Sequence, residues 1–228
     1  SVQDALGLGA ATVDTAYTGI KAAIEVVDEI KAMVVTARGE GVDRAKIQTE
    51  IDQLQDQLSG IAESAVISGA DNWLSVDSSA AGYNAVKTVV SSFTRSNGAV
   101  TIQTIDIDTA GMKLYDAGAG AGEVGILDGM RDATGAIAGA GTFSIAALDI
   151  SALTNSTADL ATLESYILGA DAALSEMTDA ATDLGSVKSR IDLQKDFVKS
   201  LMDAIDRGVG QLVDADMNEE STKLQALQ

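Results

Sequence analysis

The chain contains no cysteine, no histidine and no proline among its 228 residues. Without cysteine there are no disulfides, and neither an oxidising nor a reducing compartment is excluded. Lacking both cysteine and histidine, it has no conventional zinc or copper site and no Ser–His or Cys–His nucleophile pair. Aromatic residues make up only 4% of the chain, against 46% hydrophobic residues overall. A core must therefore be built from Ala, Val, Ile and Leu, which suits close helix packing better than a ligand pocket lined with rings. These absences predict no catalytic residue, no cofactor and no metal.

Basic residues are also scarce, with 15 Lys and Arg against 34 Asp and Glu and a formal charge of -19. No basic stripe is available to displace counterions from a phosphate backbone, so nucleic acid is not an expected partner. The same field repels anionic membranes within a Debye length of about 8 Å. No run of 18 apolar residues and no signal-peptide pattern occurs, so neither a membrane span nor a Sec signal is expected. The chain has no initiator Met, begins at Ser1 inside one helix-like run and stops at Gln228 inside another, and so reads as an excised fragment.

What the chain does contain is a sustained apolar repeat of about 3.5 residues at both ends. It runs from Val13 through Tyr17, Ile20, Ile24, Val27, Ile30 and Val34, then through Ile47, Ile51, Leu54, Leu58 and Ile61. It returns from Leu160 through Leu184, Ile191, Leu201 and Ile205. At 1.5 Å rise per residue, Ala158 to Asp206 would make a rod of roughly 73 Å. A lone helix of that length leaves its stripe wet, so partners are implied inside the chain and beyond it.

The spacing predicts a first helix over Leu6–Ala37, ended by Arg38-Gly39-Glu40-Gly41, and a second from Arg44 to Val66 with Asp43 as N-cap. Ser156 or Thr157, three residues from an acidic residue, caps a long helix that Gly208 and Gly210 end; Asp214 or Asp216 then caps a final one. Between the helical ends the composition turns to Gly, Ser, Thr and Asn. There Val86–Thr94 and Val100–Ile107 read as strands joined at Asn97-Gly98, a two-residue hairpin signal. Met112–Tyr115 and Phe143–Ile150 are further strand candidates, and Gly125–Thr134 a short helix.

The expected fold is mainly α, a long antiparallel helix bundle with a small inserted α+β domain rich in β-hairpin. Residues 1–68 form the N-terminal helical hairpin, 69–155 the inserted variable outer domain, and 156–228 the C-terminal long helix. Residues assigned to core helix packing are Ile20, Ile24, Val27, Ile51, Leu54, Leu58, Leu184, Ile191 and Leu201.

Asp183 to Phe197, DLGSVKSRIDLQKDF, resembles the C-terminal core helix of bacterial flagellins, where a DLGAVQNR type pattern is typical. VDADMNEESTKLQALQ resembles the segment that follows it in that family. LGLGAATVDTAYTGI and KIQTEIDQL, Lys46 to Leu54, fit the two N-terminal core helices, and the wording is most similar to alphaproteobacterial flagellins. The resemblance implies a structural subunit of the extracellular flagellar filament, used for motility and self-assembling through its core helices. It implies other flagellin subunits, an export chaperone and the filament cap as partners. It also implies that this chain lacks both terminal inner-tube segments and is monomeric on its own, cut where assembly would begin.

Receptor-recognised flagellins carry an LQRVRELAVQ type stretch with a downstream Glu. The equivalent here is VVDEIKAMVVT, Val26 to Thr36, so the key Arg falls on Asp28 or Glu29, while Glu50 matches the downstream Glu. An acidic residue in that place predicts weak activation of the vertebrate receptor.

Other signals are thin. Gly120 to Gly125 matches GxGxxG but sits in an Ala/Gly run and reads as a loop. Asp106 and Asp108 open a calcium-loop pattern whose fifth and twelfth positions are Ala110 and Ala117, so they read as strand-end carboxylates. Asn155-Ser156-Thr157 is a glycosylation sequon that reads as a helix cap. Alternative readings are a hook-filament junction protein, a sensor-type helical bundle, or a surface adhesin whose inserted domain binds glycans or ions.

Overall fold

The structure is a computed structural model and describes residues 2–67, 71–118 and 124–227. The expected architecture is present: three long helices dominate the two ends, and two small sheets lie between them. Helix α1 spans Val2–Ala37, α2 Arg44–Ser64 and α3 Thr157–Ala226.

Each boundary has a local cause. At the end of α1, the Arg38 and Gly39 amides close back onto the carbonyls of Val35 and Thr36. Gly41 then takes a positive φ of 73°, which frees the chain to reverse. Asp43 caps α2 by accepting a hydrogen bond from the Lys46 amide at 3.2 Å. Helix α2 stops at Ser64, two residues before the expected end. There Asn72 Nδ2 donates to the carbonyls of Ala62 and Glu63, supplying the partners that the last turn lacks. Ser156 caps α3, its Oγ accepting from the Asp159 amide, while the Asp159 carboxylate accepts from the amide and hydroxyl of Thr154.

Strands β2 (Val86–Ser96) and β3 (Ala99–Asp108) form the expected hairpin. Asn97 and Gly98 take φ of 52° and 80°, the two positive values that a type I′ turn demands. A second sheet was not expected: β1 (Ser75–Val76) pairs in parallel with β4 (Tyr115–Asp116), Ser75 opposite Tyr115.

Four expectations are corrected. Gly125–Thr134 is not a helix; it holds a turn and a bridge at Arg131. The Asp128 carboxylate accepts the amides of Gly125 and Asp116, which fixes a tight turn instead of a helical one. In Phe143–Ile150 only Phe143 makes a bridge, to Arg131, and no strand forms. Of Met112–Tyr115, only Tyr115 enters a strand. Helix α3 passes through Gly208 and Gly210 without a break, leaving Asp214 and Asp216 within it rather than at a cap. A glycine costs about 1 kcal/mol in a helix but keeps its N–H, so good helix formers on both sides carry the helix across.

The chain divides into two compact units. One comprises Ala10–Thr88 and Asp106–Lys188, the other Ser1–Gly9, Val89–Ile105 and Ser189–Gln228. In the first, Val13, Ile20, Val27, Ile30 and Val34 of α1, Ile51 and Leu58 of α2, and Leu163, Met177 and Leu184 of α3 are buried. Within each helix they lie three, four, seven or fourteen residues apart, the spacing of a helix stripe facing a core. Trp73, Leu74, Leu114, Leu127, Ile145, Leu148 and Ile150 of the intervening segments are buried in the same unit.

Candidate assembly surface

Three ion pairs set the direction of α1 against α3 in the first unit. Asp14 meets Lys188 at 2.6 Å, Lys31 meets Asp171 at 2.6 Å, and Arg38 meets Glu164 at 2.7 Å. Arg38 directly follows α1, and as the number rises along α1 to Arg38 the α3 number falls, so the helices run antiparallel. At Gly185 α3 faces Tyr17 of α1: a Cβ there would lie 3.7 Å from the Tyr17 ring, an ordinary contact. Lys188 Nζ also lies 5.6 Å from the centre of that ring. The Lys31 ammonium is held above its usual pKa first by its hydrogen bond to Asp171 and by that carboxylate's charge. All three pairs are partly exposed, so they fix register more than they add stability.

In the second unit the α3 helix is different in kind. Its early turns bury Ile191 and Val198, but from Lys199 to Leu227 no described side chain is buried. Leu193, Phe197, Leu201, Ile205, Leu212 and Met217 all stand exposed, Leu193 at 70% and Leu212 at 69%. In the same unit the β2–β3 hairpin packs by Val89, which lies over Gly9 of α1, and its Ser91 carbonyl accepts from Gln194 Nε2 at 3.0 Å. A helix that leaves this many large apolar side chains in water is incomplete without a covering surface.

The predicted packing residues thus fall into two sets. Ile20, Val27, Ile51, Leu58, Leu184 and Ile191 are buried, and Ile24 and Leu54 are half-buried. Leu201 is 48% exposed. Asp28 and Glu29 on α1 and Glu50 on α2 all face solvent.

Sequence reasoning missed the buried polar groups. Arg44 and Gln48 are buried on α2, at the same helical spacing as Ile51, Leu58 and Ala62. Polar residues at stripe positions were the available signal. Arg131 is wholly buried and Lys113 pairs with a buried Asp116 at 2.7 Å, with no periodic pattern to mark either.

The weaker motifs acquire plain roles. Asp108 closes a turn onto the Ala110 amide and lines a cleft of about 360 Å³ with Glu176, Asp179 and Asp183. Among the described residues no group of three or more carboxylates is gathered as for a metal ion. The Asn155 side chain accepts from Arg44 Nη2 at 2.8 Å. Gly120 and Gly122 of the glycine motif lie outside the described residues; Gly125 lies inside them, where a Cβ would strike the Leu114 backbone. Among the described residues no helix is long and apolar enough to cross a membrane.

Comparison with known proteins matches both ends. Residues 1–77 fit the bacterial flagellin N-terminal helical region, and residues 167–228 fit the bacterial flagellin C-terminal helical region. The chain is similar along its whole length to Flagellin A of Rhizobium meliloti strain 1021, at 41% identity and covering 78% of that protein. It is 44% identical to Flagellin C of the same strain, covering 73% of it, and 38% identical to a flagellin of Brucella melitensis, covering 69%.

Proposed function

The chain belongs to the bacterial flagellin family and is a structural subunit of the flagellar filament, and from that premise we propose that distal α3 is the surface that joins it to other flagellin subunits. The observation that supports this reading is the bare apolar band from Leu193 to Leu227. Burying one large apolar side chain contributes about 1.5 to 3 kcal/mol, so a handful of them is enough to offset the entropy of association. On this reading Ile20, Ile24, Val27, Ile51, Leu54, Leu58, Leu184 and Ile191 hold the subunit together, and Leu201 packs between subunits.

The finer assignments follow from the same surface. A band of this kind needs cover before assembly, which supports an export chaperone and a filament cap as further partners. The place of action is the extracellular filament. No catalytic role is assigned, since the chain has neither histidine nor cysteine. The charge of -19 keeps single chains monomeric at low ionic strength, and salt screens it to let the apolar bands meet.

The test is Phe197→Asp with Ile205→Asp in the flagellin as the cell makes it. Filament formation after a salt jump, followed by electron microscopy, is expected to fail while the helical circular dichroism is unchanged. Normal filaments from that variant would reject the surface.

The solvent-facing acids on α1 support a second assignment. With Asp28 or Glu29 where receptor-recognised flagellins place an Arg, the receptor's polar group is left unpaired and repelled. Asp28→Arg and Glu29→Arg are each to be compared with the parent in a cell reporter assay. A gain of signal from one of them is expected, and strong activation by the parent would rule the assignment out.

A further inference from the structure

Residues 143–155 have no helix and almost no strand pairing, yet Phe143, Ser144, Ile145, Leu148 and Ile150 are buried. A buried irregular segment must find partners for its main chain, because an unpaired buried N–H or C=O is costly. Phe143 and Ala146 pair with the backbone of Arg131 and Leu127, and further partners are side chains of α2.

Gln48 uses both ends of its carboxamide. Its Nε2 donates to the Leu148 carbonyl at 3.3 Å and its Oε1 accepts from the Ile150 amide at 2.9 Å. A neighbouring strand would present the same donor and acceptor to residues two apart. Gln55 Nε2 donates to the carbonyls of Ile145 and Leu148, each at 3.1 Å. Arg44 donates from Nη1 to the Leu153 carbonyl at 3.2 Å and from Nη2 to Asn155, while its Nε reaches the Ala37 carbonyl at the end of α1. Residues 44, 48 and 55 share one face of α2, being four and seven apart. They make a row of polar groups that stands in for a strand edge.

We propose that residues 143–155 form a strap that opens and closes as one unit with α2, so that neither is ordered without the other. The coupling is reciprocal in physical terms. Without the strap, Arg44, Gln48 and Gln55 lose partners that lie 90 to 111 residues downstream. Without α2, the strap keeps Ala146 N to the Leu127 carbonyl and the pairing of Phe143 with Arg131, but loses six hydrogen bonds to Arg44, Gln48 and Gln55 along its main chain and at Asn155. The N-terminal helical pair is therefore completed only when the segment just ahead of α3 arrives.

Native-state hydrogen exchange of the full chain, in graded low denaturant, tests this directly. The Ile150 amide and the α2 amides between Ile51 and Ala62 are expected to share one opening equilibrium and one denaturant dependence. In Gln48→Ala both sets are expected to exchange about tenfold faster, in step, as for the loss of one to two hydrogen bonds. A strap that opens at lower denaturant than α2 overturns the proposal, as does a variant in which only Ile150 accelerates or neither set changes. If the variant does not fold, the parent chain's exchange decides alone.

Discussion

The wholly buried Arg131 donates from Nη2 to Oε2 of Glu176 on α3 at 2.9 Å, tying the irregular middle of the chain to the long helix. Its guanidinium also serves the carbonyls of Gly135 and Ile126, and only Nε is left without a partner. Glu176 is 39% exposed, so water screens part of the attraction. Glu176→Ala leaves a buried cation without a carboxylate and is expected to cost about 1 to 2 kcal/mol. Thermal melting would register this; an unchanged midpoint would show that water already carries the charge.

Two glycines with similar φ separate conformational cost from contact. Gly135 has φ of +88°, and a Cβ there would lie 2.5 Å from the Leu168 carbonyl carbon. Gly82 has φ of +84° with open space around it. Gly82→Ala is expected to cost about 1 to 2 kcal/mol, the left-handed penalty alone. Gly135→Ala adds a clash with helix backbone and should exceed it by roughly 1 to 3 kcal/mol in chemical denaturation. Equal losses would mean that α3 moves aside at no cost.

How much of this was legible depends on the range of each signal. Asp43, Asn97-Gly98 and Ser156 act on residues within three or four positions, and their caps and turn stand where the sequence puts them. The stripes of α1 and α2 were legible for the same reason, since burial repeats along one helix. Strands β1 and β4 are two residues each, too short to carry alternation, and their pairing joins Ser75 to Tyr115 across forty positions of chain. The strap defeated pattern reading because its partners are glutamine and arginine side chains on a helix. Its run of Ile145, Leu148 and Ile150 looks like a strand, and in energetic terms it is one side of a ladder with no second strand.

Acid should weaken the fold through Asp116. Burial by itself would push this carboxyl up, but Lys113 and the amides of Ser78 and Gly118 outweigh it and hold Asp116 well below the ordinary range. A depressed folded-state pKa contributes stability above the unfolded value of about 3.9, and that contribution is lost as pH falls toward the folded value. Asp132, Asp149 and Asp159, lowered by hydrogen bonds from nearby hydroxyls and amides, act with the same sign. Asp128, raised by burial, acts with the opposite sign. Asp116→Asn is therefore expected to be less stable at pH 7, by roughly 3 kcal/mol for a broken buried pair. Denaturation from pH 7 to pH 2 should show the two proteins converging below about pH 4. A constant gap over that range would assign the loss to packing instead of charge.

The uninterrupted course of α3 makes its two glycines a reserve of stability. Around Gly208 and Gly210 a Cβ would meet nothing within 4 Å, so an added methyl group brings no clash. Each Gly→Ala change should then act through helix propensity and the entropy of the unfolded chain, by about 0.5 to 1 kcal/mol. Every neighbour from Lys199 to Leu227 is exposed or half-buried, so the gain is local. Amide exchange from Ile205 to Val213 is expected to slow in Gly208→Ala with Gly210→Ala, while exchange around Ile20 and Met177 stays the same. If the distal amides do not slow, the glycines lie at a helix end in solution, and the exposed apolar band is not presented on a continuous helix.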